Sequence, residues 1–195
     1  MPAGAAALVM FVHGSGSSRL SPRNRLVASM FQEHGMGSLL FDLLTETEAA
    51  DRRNVFDISL LGARVEQALD WVAKQRGTPG LRVGLFGAST GAAAALVAAA
   101  ERPSQVMAVV SRGGRPDLAS GYLKRVDAPT LLIVGSADPE VLECNRAAMR
   151  LLHGVRRLEV LPGATHLFEE PGALESVAEL AANWFDAHLR YPRPE

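Results

Sequence analysis

The chain has 195 residues, room for one compact domain with a sizeable core and hardly for two. Apolar residues make up 48 % and charged residues 21 %, which excludes wholesale disorder. A net charge of −1 leaves no basic field to attract nucleic acid, and the single cysteine, Cys144, excludes an internal disulfide framework and a cysteine-cluster metal site.

Ala7 to Val12 is a continuous apolar run that reads as a buried strand ending in the loop His13-Gly14-Ser15-Gly16. No basic residue precedes it, so a secretory leader is not expected and a soluble cytoplasmic protein is. Ser21-Pro22 opens a helix, with Ser as N-cap and Pro at the first helical position; Leu26, Val27, Met30 and Phe31 form its stripe and Gly35 stops it. Ser38 to Phe41 is a second strand, and the polar stretch Thr45 to Asn54 is expected to be a surface loop. Ile58, Leu61, Val65, Leu69 and Val72 recur at helical spacing, which makes Asp57 to Gln75 an amphipathic helix. Arg82 to Phe86 is the third strand. The apolar helix Gly91 to Ala100 follows, at about half the roughly 20 residues a bilayer span requires. Val106 to Val110 and Thr130 to Val134 are further strands. Pro139 to Leu152 is a helix, Arg157 to Leu161 the sixth strand and Gly172 to Leu189 the closing helix.

Strands written as continuous apolar runs are covered on both faces, as in parallel sheets. Their alternation with helices implies one α/β domain over residues 1–195. Its expected form is a doubly wound, mainly parallel six-stranded sheet with helices on both faces and no cap domain. Ligands in such folds bind beyond the carboxyl ends of the strands, which directs attention to the residues just after each one.

Gly87-Ala88-Ser89-Thr90-Gly91 follows the third strand and opens a helix, the context that a G-x-S-x-G nucleophile elbow requires. Ser89 would occupy a strained turn that lifts its hydroxyl above the sheet, and the helix start would offer backbone N–H groups to a developing anion. A serine needs a base. Of the five histidines, His34 and His153 precede helix-stopping glycines and His188 lies in the last helix, whereas His166 follows the last strand in Pro162-Gly163-Ala164-Thr165-His166. Asp138, at the end of the fifth strand in Gly135-Ser136-Ala137-Asp138-Pro139, fits an ordinary helix N-cap and equally an orienting carboxylate. The order Ser89, Asp138, His166 at successive strand ends favours the catalytic reading, because it is the chain order of α/β-hydrolases.

These segments resemble the small, cap-less, dienelactone-hydrolase-like group of α/β-hydrolases. The resemblance runs from Leu8-Val-Met-Phe-Val-His-Gly through the elbow and Gly135-Ser-Ala-Asp to Ala164-Thr-His-Leu-Phe, nearly the whole chain. It implies that His13-Gly14-Ser15 is an oxyanion loop. The amide of Ser15, or of Gly16, would join that of Thr90 in holding the oxyanion, and His13 would keep the loop's shape. There are two departures. Dienelactone hydrolase proper carries cysteine at the elbow where this chain has Ser89, so dienelactone chemistry is not implied. The family's extra hairpin before the first strand is also missing, so the sheet edge is expected to be short.

Two nucleotide readings fail. Arg19 stands where the third glycine of a dinucleotide fingerprint would be needed, and no G-x-x-x-x-G-K-[ST] phosphate loop exists. Arg19, Arg23 and Arg25 follow the first loop, and Arg112 and Arg115 follow the fourth strand. Arg19, Arg23, Arg112 and Arg115 are candidates to receive a substrate carboxylate or phosphate; pairing with Asp42, Glu46 or Asp117 is the alternative. The expected function is hydrolysis of an ester or related acyl bond in a small molecule, neutral or anionic, through a Ser89–His166–Asp138 triad. No cofactor, metal, membrane or nucleic acid enters this reading, and the oligomeric state is left open. The alternatives are acyl transfer or thioester hydrolysis on the same triad, a non-catalytic ligand-binding module, and an accessory partner of another enzyme.

Overall fold

The computed structural model describes residue 2 and residues 4–75 and 80–189. Its strands are β1 (Ala7–Val12), β2 (Gly37–Leu40), β3 (Arg82–Ala88), β4 (Val106–Arg112), β5 (Thr130–Gly135) and β6 (Arg156–Leu161). Its helices are α1 (Pro22–Glu33), α2 (Glu46–Ala50), α3 (Arg52–Val55), α4 (Ile58–Ala73), α5 (Thr90–Glu101), α6 (Pro139–Leu151) and α7 (Ala173–Leu189). All strand pairs are parallel, in the order β2-β1-β3-β4-β5-β6. The doubly wound sheet expected from the sequence is therefore the sheet that forms.

Position in the sheet explains the composition of each strand. β1 lies inside the sheet and all six of its residues are buried, whereas β6 closes one edge and is only partly covered. Helices α4 and α5 cover one face with Leu61, Val65, Leu69 and the alanines of α5, and Ala148 of α6 joins the same core. On the opposite face α1 and α7 pack Val27, Phe31, Val177 and Phe185 against Phe11 and Phe86. The rings of Phe11, Phe31, Phe86 and Phe185 stand 5.1–5.7 Å apart at their centroids, in tilted and edge-on geometries that suit aromatic quadrupoles.

Two local expectations need correction. Thr45 to Asn54 is not a plain loop but carries α2 and α3. Thr45 accepts the Glu48 N–H at 3.2 Å while the Glu48 carboxylate accepts the Thr45 N–H at 2.9 Å, a complete capping box. Neither short helix buries a residue, so no hydrophobic stripe marked them in the sequence. Second, β3 and β4 run two residues further than their apolar cores suggest. Ala88 pairs with Arg112, and Arg112 with Ile133, so Ser111-Arg112 belongs to the sheet and not to a loop. Two short 3-10 turns, Pro116–Ala119 and Leu123–Arg125, occupy the connection from β4 to β5. Among the described residues no strand precedes β1, and no helix is long and apolar enough to cross a membrane.

Candidate active site

The turn after β3 is built by contact. A Cβ on Gly87 would lie 2.5 Å from the Ala92 Cα, and one on Gly91 would lie 2.1 Å from the Val12 carbonyl oxygen. Only glycine lets strand, helix and β1 approach this closely. Between them Ser89 adopts φ 50°, ψ −123°. Among the described non-glycine residues only Ser89 and Phe168 have positive φ, and Phe168 lies in the loop that carries His166. The neighbours over-determine the strained turn: the Ser89 N–H donates to the Arg112 carbonyl at 3.2 Å, and the Ser89 carbonyl accepts the amides of Ala92 and Arg115, both at 3.1 Å.

Asp138 occupies the N-cap position of α6, yet its side chain makes no capping hydrogen bond. It reaches the His166 Nδ1 instead, at 2.6 Å. Two neighbouring loops are tied so that this contact follows. The Ala137 N–H donates to the Ala164 carbonyl at 3.0 Å, and the Gly163 N–H donates to the Ser136 Oγ at 2.8 Å. A Cβ on Gly135 would lie 2.0 Å from the Ala164 carbonyl oxygen, so the two loops close only on a glycine there. His166 lies against Gly113, where a Cβ would stand 3.1 Å from the His166 carbonyl oxygen and 3.5 Å from Nδ1. The end of β4 thus touches both the Ser89 turn and the His166 loop. Among the described residues no hydrogen bond joins the Ser89 hydroxyl to the imidazole.

On the other side of Ser89, Gly14 is pressed onto the turn: a Cβ there would meet the Ala88 carbonyl oxygen at 2.8 Å and the Ser89 Cβ at 2.9 Å. The Ser15 N–H, expected to face an oxyanion, donates to the Thr90 Oγ1 at 3.0 Å. The Thr90 amide, at the first position of α5, donates to no partner among the described residues. His13 ties the loop down by accepting the Leu43 N–H on Nε2 at 3.2 Å. Beyond this loop lies a cleft of about 670 Å³ between Ser15–Leu20 and the segment from Asp42 to Arg64, with Leu43, Leu44, Val55 and Leu61 on its apolar walls. The two helices that the sequence hid, α2 and α3, supply Glu46, Glu48, Ala49 and Val55 to its lining.

The four candidate arginines separate clearly. Arg19 is bound to Asp42, Arg23 to Glu169 at 2.6 Å, and Arg115 to Asp117 at 2.7 Å. Arg115 holds the Asp117 carboxyl below its ordinary range through this hydrogen bond, and its own pKa is raised in turn. Arg112 is different. It is 9 % exposed, and its Nη1 is buried without a hydrogen-bond partner.

The chain matches the model of the dienelactone hydrolase family over residues 26–190. It belongs to that family. A dienelactone hydrolase from Anabaena variabilis is 55 % identical, covers 97 % of this chain and 90 % of its own, and superposes with a TM-score of 0.95. Est1E from Butyrivibrio proteoclasticus has the same fold, with a TM-score of 0.78 at 15 % identity over 95 % of this chain and 92 % of that one. Two Mycobacterium tuberculosis proteins, each called "Putative phosphoribosyl transferase", are 58 % identical over 96 % of this chain. That region is 42 % of their length, so the chain spans less than half of these curated relatives.

Two residues of this dienelactone hydrolase family member escaped the sequence reading. Glu170 clasps the His166 loop by accepting the Thr165 N–H at 3.1 Å and the Thr165 hydroxyl at 2.5 Å, and that hydroxyl holds the Glu170 carboxyl below its ordinary range. Asn145 of α6, fully buried, donates through Nδ2 to the carbonyls of Gly114 and Val141 at 2.9 and 2.7 Å and pins the segment after β4. Spacing five apart marks the Thr165–Glu170 clasp only once the loop is known to turn back. The Asn145 tie to Gly114 has no local signal, because the two residues lie 31 positions apart.

Proposed function

We propose that this chain is a serine hydrolase that cleaves an ester or related acyl bond. The observation that supports this most directly is the 2.6 Å Asp138–His166 pair, set against the same end of β4 that holds the strained Ser89 turn. In the proposed reaction Ser89 Oγ attacks the substrate carbonyl while His166 Nε2 takes its proton. Asp138 fixes the ring with Nδ1 protonated and offsets the imidazolium charge. The Thr90 amide stabilises the oxyanion, joined by the amide of Ser15 or Gly16. The leaving alkoxide takes the proton from His166, and water, activated by His166, then releases the acyl group. The cleft beyond the oxyanion loop, with apolar walls and charged residues at its margins, suits a small or medium acyl or alcohol portion. A cytoplasmic setting is part of the same reading. The phosphoribosyl transfer for which the curated relatives are named is assigned here to the larger part of their length, which this chain does not span.

The test is hydrolysis of short p-nitrophenyl esters by the wild-type chain and by Ser89→Ala. Because an elbow serine works as one unit with its base, kcat should fall by about 10⁴-fold or more with the melting temperature preserved. Equal turnover by the two proteins would remove Ser89 from the reaction.

A further inference from the structure

We infer that the cleft beyond Ser15 is an acyl pocket for a neutral aliphatic chain, and that the alcohol portion of the ester departs on the opposite side of β3. This deepens the hydrolase reading and rests on it. The strand order separates the two portions of the substrate. Ser89 stands at the end of β3, whereas the cleft lies at the carboxyl ends of β1 and β2 and is lined by the segments that follow them. Asp138 and His166 follow β5 and β6, across β3 from the cleft, and neither lines it. In the proposed reaction His166 takes the Ser89 proton and returns it to the leaving oxygen, so the bond that breaks must face His166. The tetrahedral carbon then directs its acyl chain away from His166. On that side the cleft opens at Ser15 and Thr90, both part of its lining.

The walls suit a chain without charge. Leu43 and Leu61 are buried, Leu44 and Val55 are half-buried, and Leu20 stands 55 % exposed at the margin. Both arginines of the lining already hold an acid of the same lining, Arg19 with Asp42 and Arg64 with Glu48 at 2.6 Å. Neither is left to draw in a substrate carboxylate, and Glu46, exposed in the first turn of α2, repels one. The wall formed by α2 and α3 also lacks an apolar partner within the chain. These helices bury no residue, and polar ties through Glu48 hold them: its carbonyl accepts the Asn54 Nδ2 at 3.0 Å, and its carboxylate accepts Arg64. Yet Ala49 and Val55 of this wall face the cleft. An aliphatic chain entering there would bury them and be desolvated itself, the contact that the fold does not supply. A cleft of about 670 Å³ has room for a chain of several methylenes.

Two isomeric esters decide which portion enters. Ethyl hexanoate and hexyl acetate have one formula and one six-carbon chain, placed on the acyl side in the first and on the alcohol side in the second. At about threefold per enclosed methylene, kcat/KM should favour ethyl hexanoate by about 30-fold or more. Equal values, or a preference for hexyl acetate, overturn the inference. Monoethyl adipate carries a carboxylate at the end of the same acyl chain and should be at least about tenfold poorer than ethyl hexanoate, because the cleft offers that charge no partner. Turnover as good as that of ethyl hexanoate overturns the neutral pocket. Binding is tested apart from catalysis by calorimetric titration of hexanamide into the full chain as Ser89→Ala. Saturable binding is expected, at least about tenfold weaker in Ser89→Ala/Ala49→Trp, where the indole fills the cleft from an exposed position on α2. No saturable binding, or binding indifferent to the indole, overturns the pocket. Val55→Trp, on α3, repeats the test from the neighbouring position should Ala49→Trp fail to fold. If Ser89→Ala keeps full esterase turnover, the hydrolase reading fails while the hexanamide titration still decides the pocket.

Discussion

The two sides of Ser89 are prepared to different degrees. On the His166 side the polar groups are already joined: Asp138 and His166 meet at 2.6 Å, and the backbones of their loops are cross-linked. On the Gly14 side the Ser15 amide is committed to the Thr90 hydroxyl at 3.0 Å. The difference fits what the proposed reaction asks of each side. An Asp–His pair serves the proposed reaction best when its orientation is fixed before substrate arrives, and rigid backbone ties achieve that. In the proposed reaction the Ser15 amide has no anion to hold until charge develops, and left bare it would carry an unsatisfied hydrogen bond. The Thr90 hydroxyl satisfies it meanwhile, and rotation about one side-chain bond frees it.

The comparison can be broken from the His166 side first. Asp138→Asn keeps the shape but offers the imidazole an amide in place of a carboxylate. In the proposed reaction kcat should fall about 10⁴-fold, the loss known for the equivalent change in a serine protease triad. Ester kinetics beside a melting curve check this, and a loss under tenfold would detach Asp138 from the chemistry. Gly14→Ala comes next. Its Cβ meets backbone and the Ser89 Cβ, not a flexible chain end, so the loop after β1 must move outward. A displacement approaching 1 Å at a reacting centre costs about 10²-fold, and kcat for p-nitrophenyl acetate should fall by about that much.

Thr90→Val sharpens the same side. It deletes the acceptor of the Ser15 amide while keeping the Thr90 backbone N–H. If the hydroxyl only parks that amide, the change is one hydrogen bond, about 1 kcal/mol or about fivefold in kcat. A loss above about 100-fold would mean that the hydroxyl itself donates to the oxyanion. The smallest effect belongs to Asp117, behind the Arg115 whose amide holds the Ser89 carbonyl. The hydrogen bond from Arg115 depresses the Asp117 pKa, so its contribution is present above the ordinary value of 3.8 and is lost as pH falls through the lower folded value. Asp117→Asn should therefore flatten the acid limb of melting temperature against pH below about pH 4. It should cost under about 1 kcal/mol at neutral pH, because the pair is partly exposed.

Much of this site was legible in the chain. The glycines at 87 and 91 marked a turn so tight that only they fit, and the contacts of 2.5 and 2.1 Å give the reason. His166 was separated from the other histidines by its place after a strand. Less was legible where the signal was not periodic. The helices α2 and α3 bury nothing and lacked a stripe, although Thr45 and Glu48 had the spacing of a capping box. The last residues of β4 read as loop because Ser111 and Arg112 are polar, yet register with Ala88 and Ile133 keeps them in the sheet.

The sequence by itself determined the alternation of strands and helices, the elbow, and the order of Ser89, Asp138 and His166. These are local, since hydrophobic period, caps and glycine sterics act over a few residues. Tertiary structure decided the pairings. Asp138 stands where a helix cap belongs and spends its side chain on His166, 28 residues away. Arg23 finds Glu169 across 146 residues, while Arg112, inside the sheet, finds no carboxylate among the described residues. Whether a charge is paired or exposed to a ligand depends on which distant segments the fold brings beside it, and no local pattern records that.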